Sequence, residues 1–449
     1  MKRHVLATAL LLAAAACSEK PQINLGGNYA VALSMPPIPN HDIDVLFVVD
    51  NSGSMQDNQE ALAARAQDAL FDVIDNAVGG TPDLHVGVIT TNVGVGGANI
   101  PGCTGDGDDG RLQNTNPHVG SCAALTDHYL VDVAAPDGTR TTNYSGALDA
   151  AFGCLVQVGT DGCGFEQPLA SLERAISGSV PENAGFLRPG ALLVVVILTD
   201  EDDCSASDPV TLFDPNDLVT LGPLESFRCT AQSLTCDQDV AEPGEKTNCV
   251  ARDDSPYIMP LQHTVDALVA AKGGDASQVM VAAIAAPIEP VQVIIDDNHH
   301  ASLGASCSDA NQDSAAPAVR LEQLLHSFPG RSWFESICGD VAPALRHTAN
   351  LVGDVAARRP CLRGSLLDTD ATTAGVQPSC RAFAVAKPFT AEEVSSELPA
   401  CAGERGDAPC FRLSADTATC GDDGALGLRA DAVNASLDGK SLVVHCLVR

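Results

Sequence analysis

The residues with the clearest chemical potential lie in one short segment: Asp50, Ser52 and Ser54 of the stretch IDVLFVVDNSGSM. A carboxylate and two hydroxyl groups at alternate positions can direct three oxygen atoms at one point, because Gly53 lets the backbone between them turn sharply. Hard divalent cations such as Mg²⁺, Mn²⁺ and Ca²⁺ prefer oxygen ligands. These three ligands carry only one negative charge, so the sequence predicts a weak cation site unless other segments add ligands.

The cation site depends on the strand that precedes it. Residues Ile43 to Val49 are apolar except for Asp44 and include several β-branched side chains, a pattern typical of a strand buried on both faces of a parallel sheet. A second apolar run, Ala191 to Leu198, ends in Thr199 and Asp200. Because an open α/β sheet binds ligands at the carboxyl ends of its strands, we expect Asp200 to supply a further ligand.

Asp50-x-Ser52-x-Ser54 after an apolar strand resembles the metal-ion-dependent adhesion site (MIDAS) of von Willebrand factor type A (vWA) domains. The strand-end pair Thr199-Asp200 is similar to the distal motif of the same family. In that family the cation keeps one coordination position open for an acidic group of a partner protein. The resemblance therefore implies cation-dependent protein binding or adhesion, with Mg²⁺ as the expected ion and Ca²⁺ or Mn²⁺ as alternatives.

The family adds a threonine between these two motifs, and two residues of this chain compete for that position. Glu166 has the more family-like spacing to Asp200, whereas Thr142 lies in TNYSGAL, which is locally similar to the family's threonine segment. We favour Glu166, which departs from the family by replacing threonine with a carboxylate. A third carboxylate would strengthen cation binding but partly neutralise the ion, so it would compete with an acidic partner group. The acidic residues 201–203 are interpreted as a solvated loop.

Helical stripes alternate with apolar strands over most of the chain. This pattern predicts a doubly wound α/β fold with a mostly parallel sheet, of the vWA or Rossmann-like kind. We place this domain at residues 39–359, with disulfide-pinned insertions at about 94–136, 204–259 and 288–330. Cysteines and short alternating segments predict a small Cys-rich β region over residues 360–449.

The N-terminus has the features of an exported lipoprotein. Basic residues precede an apolar run that ends at Ala16, directly before Cys17, which indicates a lipoprotein signal peptide over residues 1–16 and lipid attachment at Cys17. Cleavage after an Ala-x-Ala site by an ordinary signal peptidase is the alternative. Residues 17–38 would then form a tether, and Ser18 favours the outer membrane or cell surface, with the periplasmic face as the alternative. The stretches GCGFEQPL and LTDEDDCSA resemble large exported vWA lipoproteins of myxobacteria-like Gram-negative bacteria.

The chain has 17 cysteines, so an even number remains when Cys17 is set aside. In an exported chain, disulfides are the expected use of these residues. Irregular spacing without a C-x-x-C pair argues against zinc bound by cysteines. Spacing suggests three local pairs: Cys103 with Cys122, Cys154 with Cys163, and Cys401 with Cys410.

Charge and motifs exclude several classes of function. The net charge of −33 argues strongly against nucleic acid as a partner. The sequence contains no phosphate-binding loop, nucleophile elbow or H-E-x-x-H motif, so we expect no enzyme. His299 and His300 beside Asp296 and Asp297 are interpreted as solvated loop residues rather than metal ligands.

The predicted function is therefore that of a cell-envelope lipoprotein that binds a divalent cation and, through it, an unknown protein ligand. Its contact with the membrane would be the N-terminal lipid alone. Two alternatives remain open. One is a structural envelope lipoprotein whose metal site is vestigial or only holds the fold. The other is a metal-dependent hydrolase.

Overall fold

The computed structural model covers most of the chain after the N-terminal segment. The described residues are 25, 28–36, 40–100, 103, 105–114, 125, 127–135, 137–297, 299–309, 314–390, 392–402, 409–420, 425–433, 435, 437 and 439–449. The predicted signal peptide, Cys17 and Cys122 lie outside this part.

The secondary structure alternates strands and helices up to residue 356 and is mainly β after it. The described strands are β1 (Tyr29–Met35), β2 (Asp42–Val49), β3 (Asp83–Thr90), β4 (Leu130–Ala134), β5 (Arg140–Thr142), β6 (Leu192–Leu198), β7 (Leu234–Thr235), β8 (Gly244–Lys246), β9 (Val250–Ala251), β10 (Val279–Ala285), β11 (Val291–Ile295), β12 (Ala301–Leu303), β13 (Cys307–Ser308), β14 (Ser314–Ala315), β15 (Ser332–Ser336), β16 (Cys361–Arg363), β17 (Cys380–Ala386), β18 (Val394–Leu398), β19 (Cys410–Ala415), β20 (Ala425–Val433) and β21 (Ser441–Leu447). The α-helices are α1 (Gln56–Ala66), α2 (Asp72–Val78), α3 (Leu148–Val156), α4 (Pro168–Ile176), α5 (Pro209–Leu212), α6 (Phe227–Ser233), α7 (Leu261–Ala271), α8 (Val319–Leu325), α9 (Val341–Ala356) and α10 (Thr417–Cys420). A π-helical segment, Gln67–Phe71, joins α1 to α2, and short 3-10 helices cover Pro181–Asn183 and Ala276–Gln278.

A seven-stranded sheet forms the centre of the molecule, in the order β15-β10-β6-β2-β3-β4-β5. The first five strands of this order are parallel, whereas β4 and β5 complete the edge in antiparallel pairing. The predicted mixed α/β fold with a mostly parallel sheet is therefore confirmed.

Strand β2 explains why helices cover both faces of this sheet. Its side chains alternate, so Val45 and Phe47 pack with α1, α2, α3 and α9 on one face. Leu46 and Val48 pack with α4, α7 and α8 on the other face. All four side chains are fully buried. An uninterrupted apolar run is what a strand needs when both of its faces are covered.

The C-terminal region forms two further sheets, ordered β1-β21-β17-β18 and β16-β20-β19. The predicted Cys-rich β region is confirmed, but one strand of it comes from the opposite end of the chain. Strand β1 lies within the predicted tether and pairs with β21, with Tyr29 opposite Leu447. Ala32, Leu33 and Met35 are buried in the core of this region. The tether prediction is therefore wrong for residues 29–35, because their partner strand is too distant in sequence to leave a local signal.

The three predicted insertions contain more regular structure than expected. Strand β4 falls in the first insertion. The second contains α5, α6 and β7 to β9, and the third contains α8. Helix α8 packs on β10 and β9, so it belongs to the helical layer rather than to an irregular excursion.

Disulfides cross-link both the insertions and the C-terminal region. The described pairs are Cys103–Cys163, Cys204–Cys229, Cys236–Cys249, Cys307–Cys338, Cys361–Cys420, Cys380–Cys446 and Cys401–Cys410. The predicted pair Cys401–Cys410 is confirmed. The predicted pairs of Cys103 with Cys122 and of Cys154 with Cys163 are wrong. The fold joins Cys103 to Cys163, and Cys154 forms a different disulfide.

The number of disulfides indicates an extracellular or periplasmic location. No helix in the described ranges is long and apolar enough to cross a membrane.

Candidate functional site

The candidate site lies where the order of strands in the sheet reverses. The chain runs from β2 to β3 on one side and later returns to β6 on the other side of β2. Val49 lies opposite Leu198 at the carboxyl ends of β2 and β6, and the amide of Asp50 donates to the carbonyl of Leu198 at 2.9 Å. Such a switch point opens a crevice at the carboxyl edge of the sheet, where α/β proteins bind ligands.

Asp50 is the fixed centre of this crevice. Its side chain is fully buried, and its two carboxylate oxygens accept hydrogen bonds from the amide of Ser52 at 2.8 Å and from the hydroxyl of Thr199 at 2.7 Å. The hydroxyl oxygens of Ser52 and Ser54 lie 3.4 Å apart. Ser52 is buried, whereas Ser54 is exposed at the rim of the crevice. The predicted Asp-x-Ser-x-Ser turn therefore places its three side chains at one edge.

Two residues that the sequence analysis did not identify hold this turn in place. Gln59 on α1 donates to the carbonyls of Asp50 and Gly159, both at 2.8 Å, and accepts from the amide of Gly159. The amide of Gly162 donates to the carbonyl of Asn51 at 2.8 Å. A Cβ atom at Gly162 would lie 2.2 Å from Oδ1 of Asn51, so only glycine allows this approach. The one sequence signal for these contacts is the position of Gln59, a polar residue on the apolar face of α1.

Four carboxyl groups converge on the crevice from Asp50, Asp200, Glu166 and Glu201. Burial and the negative charge of Asp200 raise the pKa of Asp50 to about 7, although the bonds from Ser52 and Thr199 oppose this shift. Burial, the charges of Glu201 and Asp50 and a hydrogen bond to Glu201 raise the pKa of Glu166 well above its usual range. Burial also raises the pKa of Glu201 to about 7. The cluster therefore retains protons near neutral pH.

The donor set of this crevice fits a hard divalent cation. In the described part of the chain, the groups that shift the pKa values of Asp50, Glu166 and Glu201 are carboxylates, hydroxyls and backbone groups, not basic side chains. A bound cation would supply the missing positive charge and favour the ionised carboxylates. Glu166 and Glu201 also line a cavity of about 160 Å³.

Thr142, the alternative to Glu166, is not brought to the crevice. It lies on the edge strand β5 opposite Asp132 of β4, and Asp132 lies opposite Leu84 near the start of β3. Asp50 follows the other end of the neighbouring strand β2. The structure therefore brings Glu166, and not Thr142, close to Asp50 and Glu201.

The interpretation of residues 201–203 as a solvated loop is wrong. Glu201 shares a hydrogen bond with Glu166. Asp203 is 1% exposed and forms an ion pair with Arg320, which is 0% exposed, at 3.1 Å. Asp202 accepts from the backbone amide of Arg320 at 2.9 Å. No local pattern announces these contacts, because Arg320 lies on α8, far along the chain.

A second polar cluster lies outside this crevice. Glu225, Asp296 and His300 each offer one ligand atom, and these atoms all lie within 4.8 Å of one another. This triad could hold a metal ion. The interpretation of the His299-His300 pair as solvated therefore needs correction for His300, whereas His299 is exposed.

Comparison of the chain with protein-family models gives no match, and comparison with curated proteins gives none. The chain is similar to three longer solved structures. It matches the pilus adhesin SpaC of Lactobacillus rhamnosus GG in its open conformation at 12% identity and a TM-score of 0.31, covering 92% of this chain and 39% of the adhesin. It matches proximal thread matrix protein 1 of the mussel byssus at 11% identity and a TM-score of 0.29, covering 72% of this chain and 49% of that protein. It matches the human COPII-coat protein Sec24c at 12% identity and a TM-score of 0.31, covering 92% of this chain and 44% of Sec24c. The chain thus spans less than half the length of each of these proteins.

Proposed function

We propose that the chain is a vWA-type protein-binding module that captures a divalent cation in the crevice and uses it to bind a partner protein. Asp50, Ser52 and Ser54 would supply ligands from the turn after β2. Asp200 would hold the ion or its bound waters from the end of β6, and Glu166 would close the remaining side. Mg²⁺ is the expected ion, with Ca²⁺ and Mn²⁺ as alternatives, because all of these ligands are oxygen atoms.

One observation carries this proposal: four carboxyl groups converge at the switch point of the sheet. The groups that shift the pKa values of Asp50, Glu166 and Glu201 include no basic side chain. Buried like charges repel one another, so such an arrangement is costly unless protons or a cation neutralise it. A divalent cation also matches the predicted Asp-x-Ser-x-Ser motif, whose three side chains share one edge.

The surroundings of the crevice support binding of a protein. Phe165, next to Glu166 in the chain, packs on Phe213 of the second insertion with ring centroids 4.9 Å apart. The same insertion exposes Val210, and Val219 is 99% exposed. Exposed apolar side chains on the insertion that packs on Phe165 would add apolar contacts to a partner surface. The partner would therefore combine an acidic group for the cation with apolar contacts for the insertion.

A structural role of the cation is the second candidate, and Glu201 is the observation that favours it. Glu201 and Glu166 together could occupy the position that a partner would need. The two candidates differ in one property, because a binding site leaves the ion accessible to solvent, whereas a structural site encloses it.

Isothermal calorimetry of the chain without residues 1–17 tests cation binding. We expect Mg²⁺, Mn²⁺ or Ca²⁺ to bind at one site and Asp50→Ala to abolish that binding. Glu60→Ala, an exposed change on α1, is the control and should bind as the wild type does. Absence of heat with all three ions would refute the proposal and make the crevice a vestigial site.

The relaxation of water protons by the Mn²⁺-loaded protein separates the two candidates. An open coordination position exchanges water and enhances relaxation strongly, as we expect for the wild type. If the wild type gives little enhancement and Glu201→Gln restores it, Glu201 fills the position and the structural role is correct.

A further inference from the structure

The triad of Glu225, Asp296 and His300 lies where the second insertion meets the β11–β12 hairpin, two segments that also pair through β8 and β11. Glu225 lies in the second insertion, just before α6, and Asp296 and His300 flank the turn between β11 and β12. Nδ1 of His300 lies 2.8 Å from Oε1 of Glu225. The triad therefore sits at the contact between an insertion and a hairpin.

Both sides of this contact are held by other bonds. In the hairpin, the amide of Asp296 donates to the carbonyl of His300 at 2.9 Å, and the amide of His300 donates to Oδ1 of Asp296 at 2.8 Å. In the insertion, the amide of Arg228 donates to the carbonyl of Glu225 at 2.9 Å. Arg228 is itself buried, and its guanidinium donates to the carbonyls of Leu212 and Asp214. The bond to its Oδ1 atom orients the Asp296 side chain, and the bond between His300 and Glu225 orients these two side chains toward each other.

The ligand chemistry of this triad differs from that of the crevice. One imidazole nitrogen and two carboxylate oxygens suit transition ions such as Zn²⁺ better than Mg²⁺, which prefers oxygen alone. Two carboxylates also balance the charge of a divalent ion. We propose that Glu225, Asp296 and His300 form a second metal site, selective for Zn²⁺, that joins the second insertion to the β11–β12 hairpin.

Three protein ligands leave one position of a tetrahedral zinc ion for water or another small ligand. Glu225 also lines a cavity of about 520 Å³, together with Gly222, Pro223 and Ala301, the residue after His300. The cavity gives that ligand room beside the ion. Zinc at this site is therefore exchangeable rather than sealed within the fold.

A simple ion pair is the competing explanation. The side chains of His300 and Glu225 are 39% and 40% exposed, and exposed pairs of this kind form on protein surfaces without binding a metal ion and contribute little to stability. Asp296 separates the two explanations. It is needed as a zinc ligand, whereas the pair between His300 and Glu225 does not involve it.

The test is titration of the full chain, freed of metal with a chelator, with Zn²⁺ and separately with Mg²⁺. We expect one zinc ion per chain and at least a tenfold loss of affinity in both His300→Ala and Asp296→Asn. Asparagine retains the Oδ1 atom that accepts from the amide of His300, so the hairpin stays intact. His299→Asn is the matched control, because His299 has a positive φ of 64°, which asparagine tolerates, and it should bind zinc like the wild type.

The outcome does not depend on the cation of the crevice. Asp50→Ala should keep its zinc affinity, and His300→Ala should keep its Mg²⁺ affinity. Zinc binding that survives in both His300→Ala and Asp296→Asn, or that is lost in Asp50→Ala, would overturn the second site. Melting temperatures of the metal-free variants within a few degrees of the wild type confirm that the losses are not caused by misfolding.

Discussion

Four consecutive acidic residues follow β6, and the structure uses them in two opposite ways. Asp200 and Glu201 face other carboxyl groups in the crevice, so their negative charges repel those of Asp50 and Glu166. Asp202 and Asp203 face Arg320 instead, one through its backbone amide and the other through its guanidinium. A single turn of chain thus carries both a cluster of like charges and a neutralised ion pair.

The difference teaches how to distinguish a structural acidic residue from a functional one. Asp203 has the partners that a buried charge requires, so it needs nothing from solution. The groups that shift the pKa values of Asp50, Glu166 and Glu201 are other carboxyl groups and neutral donors, so these three carboxyl groups require protons or a cation. Burial alone therefore does not mark a site, but burial without an opposite charge does.

The largest expected effect is on stability and concerns the buried ion pair between Asp203 and Arg320. Replacing Arg320 with leucine leaves Asp203 buried and without its cation, which should lower the free energy of unfolding by about 3–5 kcal/mol. Denaturant titration measures this change. Arg381→Ala is the control, because it breaks an exposed pair with Glu397 and should lower stability far less than Arg320→Leu does. Equal losses in the two variants would show that burial does not distinguish the two ion pairs.

The second effect is a dependence of metal-free stability on pH. Because the pKa of Asp50 rises from 3.8 to about 7 on folding, the folded protein keeps a proton that the unfolded chain has already lost between these values. The contribution of Asp50 to stability is therefore fully present below pH 3.8 and is lost as the pH rises towards 7.

Denaturant titrations at several pH values, with wild type and Asp50→Asn compared at each, isolate this contribution. The wild type should lose stability relative to Asp50→Asn as the pH rises, and saturating Mg²⁺ should reduce the loss. A difference between the two proteins that stays constant with pH would show that folding does not shift the pKa of Asp50.

The smallest effect concerns the geometry of the crevice rather than its charge. Gly162→Ala would force its Cβ against Asn51 and shift the turn that carries Ser52, so Mg²⁺ affinity should fall roughly tenfold, which corresponds to about 1.4 kcal/mol. At Gly164 a Cβ meets nothing within 4 Å, so Gly164→Ala should bind Mg²⁺ normally. Calorimetry of both variants gives the comparison, and identical affinities would mean that the contact with Asn51 does not position the ligands.

Local sequence patterns predicted the central sheet well. The apolar runs of β2, β6 and β10 are visible because each strand is covered on both faces, and the register of β2 with β6 then places Asp50 beside Thr199 and Asp200. Glu166 was found by its spacing to Asp200. These features depend on residues near one another in the chain or on the general rule that ligands bind at the carboxyl edge of a sheet.

The sequence could not show contacts between distant segments. The pairing of Asp203 with Arg320, the meeting of Glu225 with His300 and the Cys103–Cys163 disulfide each join residues that belong to different insertions or layers. Neighbours in sequence do not show which of these side chains meet. Gly162 was missed for the same reason. Only glycine fits at this position because a Cβ atom would collide with Asn51, which is distant in sequence.

The pairing of β1 with β21 has a consequence for the order in which the parts of the chain fold. Strand β1 precedes the α/β domain in sequence and β21 follows it, so β1 can pair only after both flanking segments have come together. The central sheet between them can fold earlier, because its own strands are closer in sequence. A chain truncated before β21 would therefore display β1 with unpaired backbone groups.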